Sequence, residues 1–238
     1  MMSAVSLMSS KRAVTLLTFV GFCAYLLILP GLVLWLSGNW RWVEGWIFSV
    51  SFSALAASTL LWLYYKDPAL LAERLRRPGT GGEPPSDVAI LVGIKVAGIA
   101  WIILPPLDLR FGWMPRLPLW SEASGALMFL VGSFFFFRAF TDNPYLSQLV
   151  RIQADRGQLL IDTGVYGVVR HPMYLGASLI MVGGAFLLGS VCGLLVSLAM
   201  LLLLVMRIFG EEKLLARDLA GYQAYCKRVR YRLVPWVW

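Results

Sequence analysis

The chain has 238 residues, of which 59% are hydrophobic and only 14% charged, against roughly 25% charged in an average soluble domain. The apolar residues come in blocks long enough to cross a bilayer, which excludes an ordinary soluble enzyme and points to an integral membrane protein. The net charge of +8 follows topology rather than forming a patch, which argues against nucleic-acid binding, and one histidine with three scattered cysteines offers no metal or disulfide pattern.

Lys11 and Arg12 precede the first apolar block, residues 13–36, which a Ser37-Gly38-Asn39 turn joins to a second block, 44–65. Each reaches the about 20 residues that a helix needs to cross a hydrocarbon core of about 30 Å. Trp35, Trp40, Trp42 and Trp46 surround the turn as an interfacial aromatic belt. The first block is long and lacks a small-residue cleavage site, so no signal peptide is expected. Residues 66–87 start with Asp67-Pro68 and run through Glu73-Arg74 as a short amphipathic helix, then become a flexible loop rich in proline and glycine. The third span, 88–105, is predicted to stop at Pro105-Pro106. It carries Lys95, which either faces a cavity or snorkels to the surface. The fourth span covers 122–140, and the longest polar connection, 141–172, follows it. Residues 173–209 are too long for one helix and predict two short helices turning near Gly189. Beyond Glu212, Leu215, Leu219, Tyr222, Cys226 and Val229 recur at steps of four and three, the stripe of an amphipathic helix in the headgroup region.

The expected fold class is therefore an all-α integral membrane protein with about six transmembrane helices, a C-terminal helical hairpin and an interfacial amphipathic helix. Two regions are expected: a four-span region over 1–140 with the cytoplasmic loop 66–87, and a ligand-binding region over 141–238. In this topology 17 of the 21 basic residues fall on one side; Arg41, Arg110 and Arg116 fall on the other, and Lys95 lies within a span. Cytoplasmic loops retain lysine and arginine, so the chain is expected to be multi-pass with both termini cytoplasmic.

The most informative segment runs from Gly164 to Gly176. It contains Tyr166, Arg170, the single His171, Pro172 and Tyr174, and it opens the hairpin that Arg207 and the pair Glu211-Glu212 close. Both ends of a hairpin lie on one membrane face, so the two polar groups can meet around a polar ligand. Arg170 suits a carboxylate, while the tyrosines and the histidine suit an aromatic ring. Each residue also has a plainer role open to it. Arg170, His171, Tyr166 and Tyr174 fit interfacial anchors, Arg207 fits a snorkelling cation, and Glu211 fits a helix-start carboxylate.

Gly164-x-Tyr166, Arg170-His171-Pro172-x-Tyr174-x-Gly176, the hairpin and Glu211-Glu212 together resemble the isoprenylcysteine carboxyl methyltransferase family, integral membrane enzymes related to the phospholipid methyltransferases. The resemblance covers about residues 140–238, and Asp67-Pro68 through Glu73-Arg74 resembles a segment of bacterial and archaeal members. It implies S-adenosylmethionine as cofactor, held by Tyr166, Arg170, His171, Tyr174, Gly176, Glu211 and Glu212. Arg207, Asn143 and Glu211 are the candidate catalytic groups, with Arg138 and Tyr145 nearby. The expected reaction is methyl transfer to a lipophilic acceptor such as a prenylcysteine-like carboxylate or a related lipid; a phospholipid amine and a small thiol stay open. Sterol reductases look similar in their last helices, so a membrane reductase using NADPH is an alternative, as is a non-catalytic membrane protein that binds lipid or a partner.

Overall fold

The computed structural model of the protein describes Gly21, Ala24, Leu26, residues 28–77, Gly79 and residues 83–238. Most of the first expected span lies outside these residues. Its end is helix α1, Ile28–Ser37. Then come α2 (Val43–Lys66), α3 (Pro68–Arg74), α4 (Pro85–Phe111), α5 (Trp120–Asp142), α6 (Pro172–Leu187), α7 (Val191–Asp218) and α8 (Tyr222–Arg228). Among the described residues the only strand-like pairing is an isolated bridge between Arg116 and Ser190. Helices α2, α4, α5 and α7 are long and apolar enough to cross a membrane, and α1 and α6 are shorter apolar helices. The outer surfaces are greasy: Val92, Val96 and Ile99 on α4, and Leu195, Leu198 and Leu202 on α7, are exposed. Lys95 is exposed on that same side of α4, which places it outside any internal site.

Two helices run further than their sequence predicts. The third span continues through Pro105-Pro106 to Phe111 instead of stopping at the prolines. Both prolines are fully buried, and Pro105 lies close to Gly193 of α7. A neighbouring helix that packs around the ring lets a span tolerate the lost hydrogen bond. The second arm of the hairpin is not short either. Helix α7 has 28 residues, or about 42 Å at 1.5 Å per residue, so its last turns project beyond the hydrocarbon. The expected amphipathic helix after Glu212 is consequently in two pieces, broken before α8 at Gly221, whose φ is +81°.

Helices α5 and α6 form the tightest seam. Gly125 faces Gly183 and Gly132 faces Gly176, antiparallel and seven residues apart on each helix. A Cβ on Gly176 would stand 2.5 Å from the Phe136 nitrogen and 2.7 Å from the Gly132 oxygen. Small residues at these positions let the two backbones approach closely. Helix α4 packs along α7, where the Trp101 indole donates to Ser197 Oγ at 2.8 Å. At one end of the bundle the α6–α7 turn is closed by Ser190, which caps α7 and donates to the buried Asp108 at 3.1 Å. At the other end α2, α5 and α7 finish and α4 and α6 begin, and the long connection 143–171 lies across them. Asp142 holds this connection by accepting from the Val165 amide at 3.0 Å. Buried Gln153 holds it by donating to the Tyr145 carbonyl at 2.6 Å.

Candidate functional site

A cleft of about 820 Å³, part of it open to solvent, lies at this second end. Its walls come from most of residues 143–151, from 158–161, from the corner formed by Tyr166 and residues 170–174, from Glu211, Leu214 and Leu215 of α7, and from Leu219, Tyr222 and Tyr225.

The corner is built by local rules. Pro172 opens α6 at its first turn, where a missing N–H costs nothing, and His171 is the cap residue. Gly164 begins a 3-10 turn, Gly164–Gly167, with φ of +58°, and a side chain there would collide with Asp142. The amides of Arg170 and His171 donate to the Tyr231 and Arg232 carbonyls at 3.0 Å each, so the tail after α8 braces the corner.

The neighbouring carboxylates of α7 have different environments. Glu212, 12% exposed, accepts from Arg170 Nε at 2.7 Å and Arg232 Nε at 2.8 Å, and lies 3.2 Å from His171 Nε2. It is the hub of a buried charge network. Glu211 is 27% exposed, lines the cleft, and accepts from the Tyr174 hydroxyl at 2.8 Å through Oε2. His171 and Tyr174 stack, with ring centroids 5.6 Å apart and planes 14° from parallel. Tyr166 is buried in the wall, and its hydroxyl donates to the Ala139 carbonyl at 3.3 Å. Burial holds that hydroxyl well above the ordinary phenol range, offset only in part by the Asn143 side chain. Tyr225 donates to the Tyr166 carbonyl at 2.7 Å. Tyr222 is 4% exposed, yet its hydroxyl has no hydrogen-bond partner among the described residues. A buried hydroxyl of this kind is left for water or a ligand.

Of the residues singled out by sequence, Tyr166, Arg170, His171, Tyr174, Glu211 and Asn143 line one cleft, and Glu212 stands directly behind it. Two expectations need correction. Gly176 is not at the cleft: its backbone approaches α5, not a ligand. Arg207 is buried and already used, paired with Asp87 at 3.3 Å and donating to the Gln148 carbonyl, so it ties α7 to α4 and to the long connection. Arg170 is reassigned in part, because its Nε serves Glu212 and its Nη1 donates to the Val229 carbonyl at 3.2 Å. Asn143 Oδ1 accepts from the Tyr145 amide at 2.8 Å and so shapes the turn after α5.

Sequence reasoning missed Arg151, Tyr222 and Tyr225 as cleft residues. Arg151 makes a bidentate pair with Glu73 of α3, at 3.0 and 2.9 Å, and nothing local in the sequence announces a partner so distant. Burial raises the Glu73 carboxyl, but the hydrogen bonds from Arg151, Ser147 and Arg76 outweigh it and hold the group below its usual 4.5. Tyr222 is legible in the sequence only as part of an apolar stripe, and Tyr225 lies off that stripe. In the structure they pack with Val229 on Leu160, Leu215 and Leu219 instead of facing outward.

Residues 120–220 match the family model for phospholipid methyltransferases. The chain is 37% identical over 109 residues to a Delta(14)-sterol reductase of Mus musculus, a match that covers 43% of this chain and only 25% of the reductase. In three dimensions it aligns over 99% of its length, and 87% of the other chain, with the eukaryotic intramembrane Ras methyltransferase ICMT (isoprenylcysteine carboxyl methyltransferase). The TM-score is 0.51 and the identity 19%. The resemblance carried by residues 164–176 and 211–212 therefore holds in the fold of the whole chain and in the family signature of its C-terminal part. Four apolar helices on this fold make the chain a multi-pass membrane protein.

Proposed function

We propose that the protein transfers a methyl group from S-adenosylmethionine to a lipophilic acceptor at one face of a membrane. The observation that carries this reading is the single cleft joining the 166–174 corner to Glu211, with a buried, unpartnered Tyr222 hydroxyl in its wall. The phospholipid methyltransferase match over residues 120–220 supports it independently.

The residues present suit the cofactor. Glu211 has a carboxylate oxygen outside its bond to Tyr174, fit to accept from an ammonium or a ribose hydroxyl. Tyr222 offers its unused hydroxyl, and Tyr166, Tyr174 and His171 offer flat surfaces for an adenine. Arg151 lies at the cleft wall, but Glu73 and Asp155 take up its guanidinium, so it braces the wall instead of offering a free cation. When bound, the cofactor would supply a methyl group activated by its sulfonium, with S-adenosylhomocysteine as the leaving group. The chain's task is then placement and exclusion of water. Glu212 with Arg170, His171 and Arg232 fixes the corner, and Leu146, Leu149, Val150, Leu214 and Leu219 keep the cleft apolar between its polar groups. A carboxylate acceptor needs no base, whereas an amine or thiol must lose a proton, for which Glu211 is the nearest candidate. The charge asymmetry of the sequence supports a cytoplasmic location for the cleft and for both termini.

The test is calorimetry of the purified protein with S-adenosylmethionine, S-adenosylhomocysteine and NADPH, followed by transfer of labelled methyl to prenylcysteine analogues, phosphatidylethanolamine and small thiols. Binding of the first two and not the third is expected. NADPH binding alone would favour the reductase reading that the mouse sterol reductase match supports. Binding of none would leave a lipid- or partner-binding protein.

A further inference from the structure

The tail after α8 is held tightly at its start and displayed at its tip. The Tyr231 and Arg232 carbonyls accept from the corner amides, and the Arg232 side chain reaches Glu212 at 2.8 Å. Leu233, 4% exposed, packs with Val169, Leu175, Leu204 and Ile208 between α6 and α7. The last residues then form a turn closed on itself. The Arg232 and Leu233 amides donate to the Trp238 backbone oxygen at 2.9 and 3.0 Å, and the Val237 and Trp238 amides donate to the Val234 carbonyl at 3.1 Å each. Trp236, at the tip, has a φ of +63° and is the only residue other than glycine with a positive φ among the described residues. Bulky side chains rarely take that conformation. The turn does not bury its apolar residues: Trp236 is 87% exposed, Val237 78% and Val234 43%.

We propose that this turn is a membrane latch: Val234, Trp236 and Val237 enter the interface of the leaflet at the cleft end, and their insertion keeps the 170–171 corner braced. The occupant follows from where the turn starts. Trp238 packs on Phe209 of α7, with ring centroids 5.7 Å apart. Phe209 ends an exposed apolar row of Leu195, Leu198, Leu202 and Met206, spaced by three or four residues, which is the face α7 turns to lipid. It lies 18 residues beyond Val191, or about 27 Å at 1.5 Å per residue, near the inner edge of a hydrocarbon core of about 30 Å. The turn therefore continues the lipid-facing surface at the depth where tryptophans collect. Lys227 and Arg230, just before it, are exposed cations suited to an anionic leaflet. The coupling follows from the other end of the tail. Arg232 N both belongs to the turn and precedes the residue buried between α6 and α7, so freeing the tip loosens the two carbonyls that brace the corner and the Arg232 bond to the Glu212 hub. The latch does not depend on which cofactor or acceptor the cleft takes.

Photolabelling of the unaltered full chain in nanodiscs containing a diazirine-bearing phosphatidylcholine and phosphatidylserine tests the insertion. Adducts are expected on residues 234–237 as well as on the exposed row of α7. Adducts on that row with none on 234–237 would overturn the proposal, because the tip would then face water, another protein or a second copy of this chain. Hydrogen exchange at the Arg170 and His171 amides, in the same nanodiscs and without any ligand, tests the coupling. Trp236→Ser combined with Val237→Ser should speed exchange at these two amides about five- to tenfold, the lower part of the range for coupled sites, while the seam around Gly132 and Gly176 stays as protected as before. Trp236→Phe, which keeps an apolar ring at the tip, should retain the original rate. Unchanged exchange in the double variant would overturn the latch. So would an equal acceleration across the seam, which is general loosening and not release of one brace.

Discussion

The two ends of the bundle treat their polar groups in opposite ways. At the end holding Arg41, Arg110 and Arg116 the connections are mostly short and closed on themselves, although the buried Trp42 Nε1 finds no partner among the described residues. Gly38 turns α1 into α2, Gly189 turns α6 into α7, Ser190 caps and bonds Asp108, and the Leu117 amide donates to the Gly189 carbonyl at 3.0 Å. At the other end the connections are long and highly charged, and they leave one oxygen of Glu211 and the Tyr222 hydroxyl without a bond among the described residues. The same helices run through both ends, so the difference lies in the sequence of the connections and not in the bundle. Polar groups used within the fold govern stability, and the unsatisfied ones are where ligand contact is expected.

That division predicts which substitutions damage folding and which damage binding alone. Glu212→Gln should have the largest effect, because it leaves Arg170 without its counter-charge in a buried hub. Breaking such a pair costs about 3–5 kcal/mol, which should appear as a large drop in melting temperature in detergent even without ligand. Glu211→Gln, one residue away, should barely move the melting temperature yet weaken S-adenosylmethionine about ten- to a hundredfold by calorimetry. If the two substitutions behaved alike, the contrast between the carboxylates would be lost. Gly176→Ala should destabilise by about 1–3 kcal/mol through overpacking of the α5–α6 seam, with cofactor affinity unchanged in the folded fraction. Glu73 gives a pH signature. Its carboxyl is held below its ordinary 4.5 in the folded protein, so its contribution is complete above that value and is lost as pH falls through the lower folded value. Limited proteolysis within residues 143–163 should therefore accelerate on acidification below about pH 4.5, and Glu73→Gln should cleave fast at every pH. Smallest of all, Tyr222→Phe removes a hydroxyl that makes no bond within the protein. It should leave stability unchanged or slightly raised and cost cofactor binding only a few-fold, about 0.5–1.5 kcal/mol.

Much of this was legible in the chain, for physical reasons. Long apolar blocks, the glycine at 189 and the spacing from His171 to Glu211 are local or helical patterns, and they located the spans, the hairpin and the meeting of the two polar groups. Burial partners are not local. Pro105-Pro106 stops a helix in isolation but not one packed against Gly193. Gly176 appeared to be a ligand-side glycine because its seam partner, Gly132, lies on another helix. Arg207 reads in the sequence as a substrate-orienting or snorkelling cation because its partner Asp87 lies on a different span. The stripe through Leu215, Leu219, Tyr222 and Val229 resembles an interfacial face in the sequence because Leu160, which packs against it, comes from a distant loop.

The adjacent glutamates of α7 also set a rule for altering the hairpin. Consecutive residues on a helix point about 100° apart, so Glu212 meets the hub while Glu211 meets the cleft. Deleting one residue between the Ser190 cap and Glu211 would rotate every later side chain by that angle, bringing the former hub carboxylate toward the ligand and leaving Arg170 facing Lys213. Grafted or shortened hairpins must therefore preserve angular phase as well as hydrophobic length. Changes in whole turns keep the phase but shift the carboxylates about 5.4 Å along the axis, so they need a matching change in α6. The length of this arm is thus as much a part of the site as the residues on it.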